Sequence, residues 1–282
     1  MAHGWQKTDF SPEPADVTIR SFYVSECPAL KQPESKEDFL FQPKPGLFFR
    51  ISNGSSILIY RSPEIGDRDV TIFLIGSAWG VICHQRGLVP LHCSAVASGS
   101  TAFAFVGPSG SGKSTLAASL CQRGYDHVCD DVAIIDISPP VNVSLRAMPK
   151  GLKLWREATE ALGLEPRELV TNDENIEKYY VDLPSESGDK ILNLTAIYTL
   201  KYDDNISEPK INSISGRALL QNLYINIYRI EWINQIGDAA QILSKSLTVA
   251  NSVPVYQFSR PRALNKLRSS TEFLSNHFSM IG

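Results

Sequence analysis

Cysteine is scarce in this chain and never paired in sequence. Five of 282 residues are cysteine, at Cys27, Cys83, Cys93, Cys121 and Cys129. None forms a CxxC, which argues against a zinc site or a disulfide scaffold and suits a reducing compartment. Long apolar runs are also lacking. The longest uncharged apolar stretch, "VTIFLIGSAWGVIC" from Val70 to Cys83, is too short to span a bilayer. Its Leu74, Ala78, Val81 and Ile82 recur at helical spacing and predict a buried helix instead. The opening "MAHGWQKTDFSPEPADV" has no apolar core, so no secretory leader is expected. Asn-x-Ser/Thr triplets at Asn53 and Asn193 therefore carry no meaning as glycosylation signals, and the expected compartment is the cytoplasm. Excess charge is missing too: 27 basic against 30 acidic residues leave a formal charge of -3. That gives no general attraction to nucleic acid or to an anionic membrane, and neither is expected as a partner. No internal repeat or low-complexity segment appears.

What remains is an ordinary globular composition, 43% hydrophobic and 20% charged, long enough for one large domain or two smaller ones. Up to about residue 66 the pattern is of short strands and turns. "DVTIRSFYV", "LFFRISN" and "SSILIYR" are rich in β-branched and aromatic residues, with "NGSS" as a hairpin-like turn. The apolar helix follows. "HCSAVAS" and "TAFAFVG" predict two strands joined by a Ser-Gly turn, and a helix runs from Lys113 to about Arg123, stopped by Gly124. "HVCDDVAIID" reads as the next strand, ended by Ser138-Pro139-Pro140, and "GLKLWREATEALGL" as an amphipathic helix. Residues 166 to 190 are polar and loop-like around the strand "KYYVDLP". "LTAIYTLKY" and "PVYQFSR" are strands, while "GRALLQNLYINIY" and "RALNKLRSSTEFLSNHF" are helices. The expected fold is a mixed α/β nucleotide-binding domain, residues 89–282, behind a β-rich module ending in the apolar helix, residues 1–88.

"GPSGSGKST" completes the pattern GxxxxGK[ST] from Gly107 to Ser114. Glycines allow the tight turn that presents backbone N–H groups to phosphate, and the helix start adds its positive dipole end. The expected nucleotide contacts are Gly107, Pro108, Ser109, Gly110, Ser111, Gly112, Lys113, Ser114 and Thr115. Lys113 supplies an ammonium for the β- and γ-phosphates of ATP, and the Ser114 hydroxyl a ligand for Mg2+. Asp130 and Asp131 follow closely. A helix from Lys113 to Arg123 travels about 15 Å, at roughly 1.5 Å per residue. A strand from His127 to Asp131 returns about 13 Å, at roughly 3.3 Å per residue, so the carboxylates come back level with the phosphates. Neighbours on a regular strand face opposite ways, so the two cannot share a metal unless the strand ends or twists there. We therefore assign Asp130 as the general base and Asp131, with Ser114, as the metal-side residue; on that assignment Asp130→Asn keeps ATP binding and stops transfer. His92, on the strand beside the loop strand, is placed to hydrogen-bond an aspartate or the γ-phosphate.

With His92, the loop, Arg123-Gly124 and "RGYDHVCDDVAII" together, the sequence resembles the HPr kinase family, bacterial serine kinases with a phosphate loop. A closer resemblance is to stand-alone HPr-kinase-like proteins of ribosomal-peptide clusters, including the lasso-peptide tailoring kinases. It is carried by "FLIGSAWGVICHQRGLVPLHCSAV", "AMPKGLKLW", "EKYYVDLP" and "PVYQFSRPRALNKL". The resemblance implies an HPr-kinase-type P-loop core, a mixed sheet with flanking helices. It implies ATP-dependent transfer to a serine of a peptide or small protein, such as the C-terminal serine of a lasso precursor. It implies a catalytic role for Lys178 as a cation reaching the transferred group, whereas the residues alone read Lys178 as a solvated loop lysine. Arg260 and Arg262 read as binders of acidic or phosphate groups or as surface ion pairs. The glycine-rich second signature that regulatory HPr kinases associate with phosphate removal is not found. A small-molecule kinase and an ATP-dependent peptide-binding module remain as alternatives, and a homo-oligomer is compatible with the family. The β-rich start is either a docking edge for an extended peptide or, preferably, a cover for the kinase sheet.

Overall fold

The computed structural model describes residues 16–25, 33, 35–138, 142–146, 151–171, 177–183 and 190–282. Cys27, Pro139, Pro140 and part of the polar stretch before Lys178 lie outside them. Four strands open the chain: β1 (Thr18–Tyr23), β2 (Asp38–Lys44), β3 (Leu47–Ser52) and β4 (Ser56–Arg61), ordered β1-β4-β3-β2. Asn53 and Gly54, at φ of 54° and 62°, turn the β3–β4 hairpin, as the Asn-Gly pair predicts. β2, with a proline near its end, was not anticipated. β1 lies parallel to β4 at the sheet edge with all six residues exposed. Phe39, Phe41, Phe49, Ile51, Ile57 and Ile59 form the inner face.

That face is covered by the predicted helix, which runs as α1 (Asp67–Phe73), a π-helical turn (Leu74–Ala78) and α2 (Trp79–Gln85). Ala78, Val81 and Ile82 pack on the sheet, joined by Ile236 and the partly buried Trp232 from far along the chain.

The larger sheet holds nine strands among the described residues. They are β5 (Val89–Leu91), β6 (Cys93–Ser98), β7 (Thr101–Val106), β8 (Asp126–Cys129), β9 (Ala133–Ser138), β10 (Asn142–Arg146) and, beyond a separate ribbon of β11 (Leu152–Trp155) and β12 (Lys178–Val181), β13 (Ile191–Tyr202), β14 (Lys210–Ser213) and β15 (Val255–Arg260). The order is β5-β9-β10-β13-β7-β6-β8, with β15 on β13 and β14 on β15. β13 runs parallel to β7 and β15 and antiparallel to β10. β8 and β9 follow each other in sequence yet lie toward opposite ends of this order, so the sheet must curl to let a three-residue link join them. The expected single strand "HVCDDVAIID" is therefore two, broken at the aspartates.

Period-two alternation sorts side chains between two faces. Ala102, Ala104 and Val106 of β7 join a core with Leu194 and Ile197. Phe103 and Phe105 join Tyr198 and Phe258 on the other side. The first face packs on α5 (Gly216–Ile225) and α7 (Ala239–Ser252) through Leu223, Ile242 and Val249. The second packs on α3 (Lys113–Cys121) and α8 (Leu267–Ile281) through Leu116, Leu120, Leu274 and Phe278. Two short helices complete the chain, α4 (Arg156–Leu162) and α6 (Ile233–Ile236). The helix expected over "GLKLWREATEALGL" is instead β11 followed by α4. Leu152 and Leu154 both face the core, which is strand alternation, and the helical period begins only at Arg156. α7 was missed although Asp238 caps it, accepting from Ala240 N and Gln241 N.

Candidate active site

β7 ends at Val106 in the middle of the sheet and hands the chain to the glycine-rich loop, which feeds α3. Gly107, Gly110 and Gly112 take φ of 139°, 79° and 83°, backbone that side chains rarely adopt. A β-carbon on Gly112 would collide with the Arg260 guanidinium, and one on Gly107 would lie 3.3 Å from the Leu200 carbonyl. Asn226 Oδ1 accepts the Gly107 N–H at 3.0 Å. Arg260, 4% exposed, donates to the carbonyls of Ser111 at 3.0 Å and Gly112 at 3.3 Å. It also stacks on Tyr202 at 4.7 Å, with Arg262 at 5.6 Å from the same ring. Arg260 is thus a buried strut of the loop, which corrects its reading as a surface ion pair. Burial lowers its pKa. The Lys113 ammonium is buried and donates to the carbonyls of Gly107 at 2.8 Å and Pro108 at 3.3 Å. Burial lowers its pKa, against the raising influence of Asp130 and Asp131.

The chain leaves β8 at Cys129, and Asp131 adopts φ of 81°. For a residue with a β-carbon this backbone stores about 1–3 kcal/mol, though aspartate tolerates it better than most. The break frees the two carboxylates from opposite-face geometry and brings both to the loop. They meet different surroundings. Asp130 is 3% exposed; its Oδ1 accepts from Ser114 Oγ at 2.7 Å and Ser94 Oγ at 2.6 Å, and its Oδ2 from the Lys153 N–H at 3.2 Å. Asp131 is 34% exposed at its side chain, with Oδ1 3.7 Å from His92 Nε2 and Oδ2 3.6 Å from Lys153 Nζ.

His92 follows β5, and its main-chain N–H donates to the Asn226 carbonyl at 2.8 Å. Burial and then Lys113 hold its pKa below the usual value, with Asp131 and Asp130 opposing, so at neutral pH the imidazole is uncharged. Its ring meets Tyr228 edge-on at 5.6 Å. Tyr228 in turn lies against the glycines of the long helix: a β-carbon on Gly80 would come within 2.7 Å of the ring and one on Gly76 within 3.1 Å of the hydroxyl. Gly76, in the π-helical turn, and Gly80, in α2, thus make room for Tyr228, which links this helix to His92. Arg229 beside it donates to Ser77 Oγ at 2.7 Å.

Lys153 was not anticipated. Leu152 and Leu154 are 1% exposed, so alternation turns Lys153 the other way, toward the aspartates. Burial is the largest influence and would lower its pKa, but Asp131 and Asp130, with Tyr180 and Tyr228, together hold it above the usual lysine value. Lys178, across the same ribbon, stands 6.0 Å from the Trp155 ring centroid and close enough to Lys113 to help lower its pKa. The structure thus gathers Gly107 to Thr115, His92, Asp130 and Asp131, with Lys178 nearby on the ribbon.

The residues fit ATP and magnesium. The Ser111 Oγ in the loop is buried with no hydrogen-bond partner among the described residues, and a β-carbon on Gly110 would meet open space. Among the described residues no group of three His, Cys, Asp or Glu is placed to hold a metal. Magnesium is bound through one or two carboxylates plus substrate phosphates rather than an all-protein cage, and Ser114 with Asp130 is an oxygen pair of that kind.

No family model and no curated protein matches the chain. Among solved structures it is similar to the HPr(Ser) kinase/phosphatase from Coxiella burnetii, at 12% identity over 68% of this chain and 99% of that one, with a TM-score of 0.33. No helix of the described residues is long and apolar enough to cross a membrane.

Proposed function

We propose that this chain is a kinase that passes the γ-phosphoryl group of ATP to a serine hydroxyl of a peptide or small protein. The observation that carries the reading is the unequal setting of two adjacent carboxylates at one phosphate loop. Asp130 is bound to Ser114, while Asp131 is half-exposed beside His92. That arrangement supports the reverse of the division expected from the sequence: Asp130 and Ser114 hold Mg2+, and Asp131 is the base. Bound magnesium supplies neutralisation of phosphate charge. The loop N–H groups and Lys113 bind the β- and γ-phosphates, for which the ammonium leaves its carbonyl partners. The acceptor oxygen forms a bond to the γ-phosphorus as the bond to the ADP oxygen breaks, and its proton passes to Asp131 Oδ1. Neutral His92 orients that carboxylate. Most of the rate comes from positioning and electrostatics, with a base adding about 10²–10⁴-fold. The resemblance adds a role for Lys178 of the ribbon, as a cation for the transferred group.

The acceptor class comes from the sequence resemblance, which names the C-terminal serine of a ribosomal, lasso-type precursor. Intact mass spectrometry of such a peptide, incubated with the protein, ATP and Mg2+, tests it. A gain of one phosphate that vanishes when the serine is alanine is the expected result. ATP consumed with free serine but not with peptide would move the acceptor to a small molecule. ATP bound without any transfer would leave a binding module.

A further inference from the structure

Lys153 is tethered to both carboxylates. Its main-chain N–H donates to Asp130 Oδ2 at 3.2 Å, and its ammonium stands 3.6 Å from Asp131 Oδ2. The side chain is 9% exposed, so the charge is largely removed from water, a cost that nearby counter-charge must offset. Its place is set by packing. Leu152 and Leu154 anchor β11 in the core under α3, and Tyr180 of β12 pairs opposite Lys153 across the ribbon. Asp131, by contrast, lies in an irregular turn, and the aim of its carboxylate depends on what holds each oxygen: Lys153 at Oδ2 and His92 at Oδ1.

We propose that Lys153 is a positioning residue for phosphoryl transfer, its amide and ammonium together setting the spacing of the two carboxylates and aiming Asp131 Oδ1 at the acceptor hydroxyl. This rests on the kinase reading above. Lys113 and the loop amides carry phosphate binding, so loss of the Lys153 ammonium is felt in turnover and not in nucleotide affinity.

The test uses the full chain with Lys153→Met and Lys153→Arg, both of which keep the main-chain amide. Lys153→Met binds a fluorescent ATP analogue with Mg2+ as the parent does and keeps its KM for ATP, while kcat falls about 10²-fold, the scale of a misplaced reacting group. Lys153→Arg recovers part of that loss. An unchanged kcat in Lys153→Met overturns the proposal. Equal losses of affinity and kcat overturn it too, making Lys153 a phosphate-binding lysine.

Thermal unfolding without nucleotide gives a second, activity-free reading from Lys153→Met, Asp131→Asn and the double variant. A coupled pair leaves the double variant more stable than the two single losses add up to; strict additivity overturns the pairing. Should Lys153→Met not fold, Lys153→Gln replaces it in both measurements. A parent protein that binds ATP but transfers to no acceptor and to no water sinks the kinase reading and this inference with it. Transfer by the parent, with full kcat in Lys153→Met, sinks this inference alone.

Discussion

Asp130 and Asp131 are adjacent in sequence, yet a carboxylate's chemistry is decided by what surrounds it rather than by its place in a motif. Buried and bonded to Ser94, Ser114 and the Lys153 amide, Asp130 has little freedom to receive a substrate proton. Asp131, with its side chain 34% exposed, is the more accessible of the two. Asp131→Asn is therefore expected to keep Mg2+-dependent ATP binding and to lose transfer by about 10²–10⁴-fold. Asp130→Asn is expected to raise the Mg2+ concentration needed for nucleotide binding. Titrating a fluorescent ATP analogue at several Mg2+ concentrations, beside phosphopeptide formation, separates the two; equal behaviour of the variants in both assays would sink the assignment. That the glycine-rich loop and both aspartates come together in space was legible from the lengths of helix and strand between them, and the nearness of His92 from the strand pattern beside the loop strand. Where the strand breaks was not legible, because the positive φ at Asp131 leaves no mark in the strand pattern. Lys153 escaped for a related reason: Leu152, Lys153 and Leu154 were read with the helical run that starts at Arg156, and their alternation was lost in it.

At the scale of elements, the long helix and the segment around Tyr228 show how the first layer is joined to the site. Gly80 faces the Tyr228 ring, with room for no β-carbon at ordinary contact distance. Gly80→Ala is expected to destabilise the protein by about 1–3 kcal/mol, as overpacking does, and to reduce transfer further by shifting Tyr228 against His92. Denaturant unfolding and transfer rates measured on the same variant check both parts; a variant with parental values of each would show that the contact relaxes freely. The cap of α7 offers a simpler test away from the site. Asp238→Ala removes acceptors from two main-chain N–H groups and is expected to cost about 1 kcal/mol, with ATP affinity unchanged. The helix over residues 67 to 85 was legible from its apolar spacing, yet its π-helical turn was not, since one extra residue in a turn leaves no mark in that spacing. β10 and β14 are short and carry polar or charged ends; β10 pairs with β9 just before it as well as with the distant β13, and β14 pairs with β15 far along the chain.

For the whole molecule, protonation of buried histidines sets an acid limit on stability. His84 bonds through Nε2 to the Tyr228 carbonyl at 2.7 Å, and burial lowers its pKa and that of His127. Both are neutral in the folded state near pH 7, and above about pH 6.5, the ordinary histidine value, neither contributes a difference between folded and unfolded chains. As pH falls below that value the unfolded chain takes up protons more readily than the folded one, so stability declines until the lowered folded values are passed. The melting temperature is expected to fall between pH 7 and pH 5, and less steeply in a His84→Gln variant. An unchanged slope in that variant would remove His84 from the account. The mixed α/β composition of the molecule was readable from the sequence; the curl of the large sheet was not, because it follows from long-range strand order.

That curl has a kinetic consequence. The link through Asp130 and Asp131 joins β8, which pairs with β6, to β9 on the far side of the sheet. The strands that complete this sheet are remote in sequence: β13 pairs with β7 and β10 from far along the chain, and such long loops must close before their contacts repay the lost entropy. A refolding chain can own its loop and its helix α3 and still lack the full sheet that seats them. The recovery of nucleotide binding in a refolding experiment should therefore lag behind the recovery of secondary structure, making ATP a probe of the final stitch.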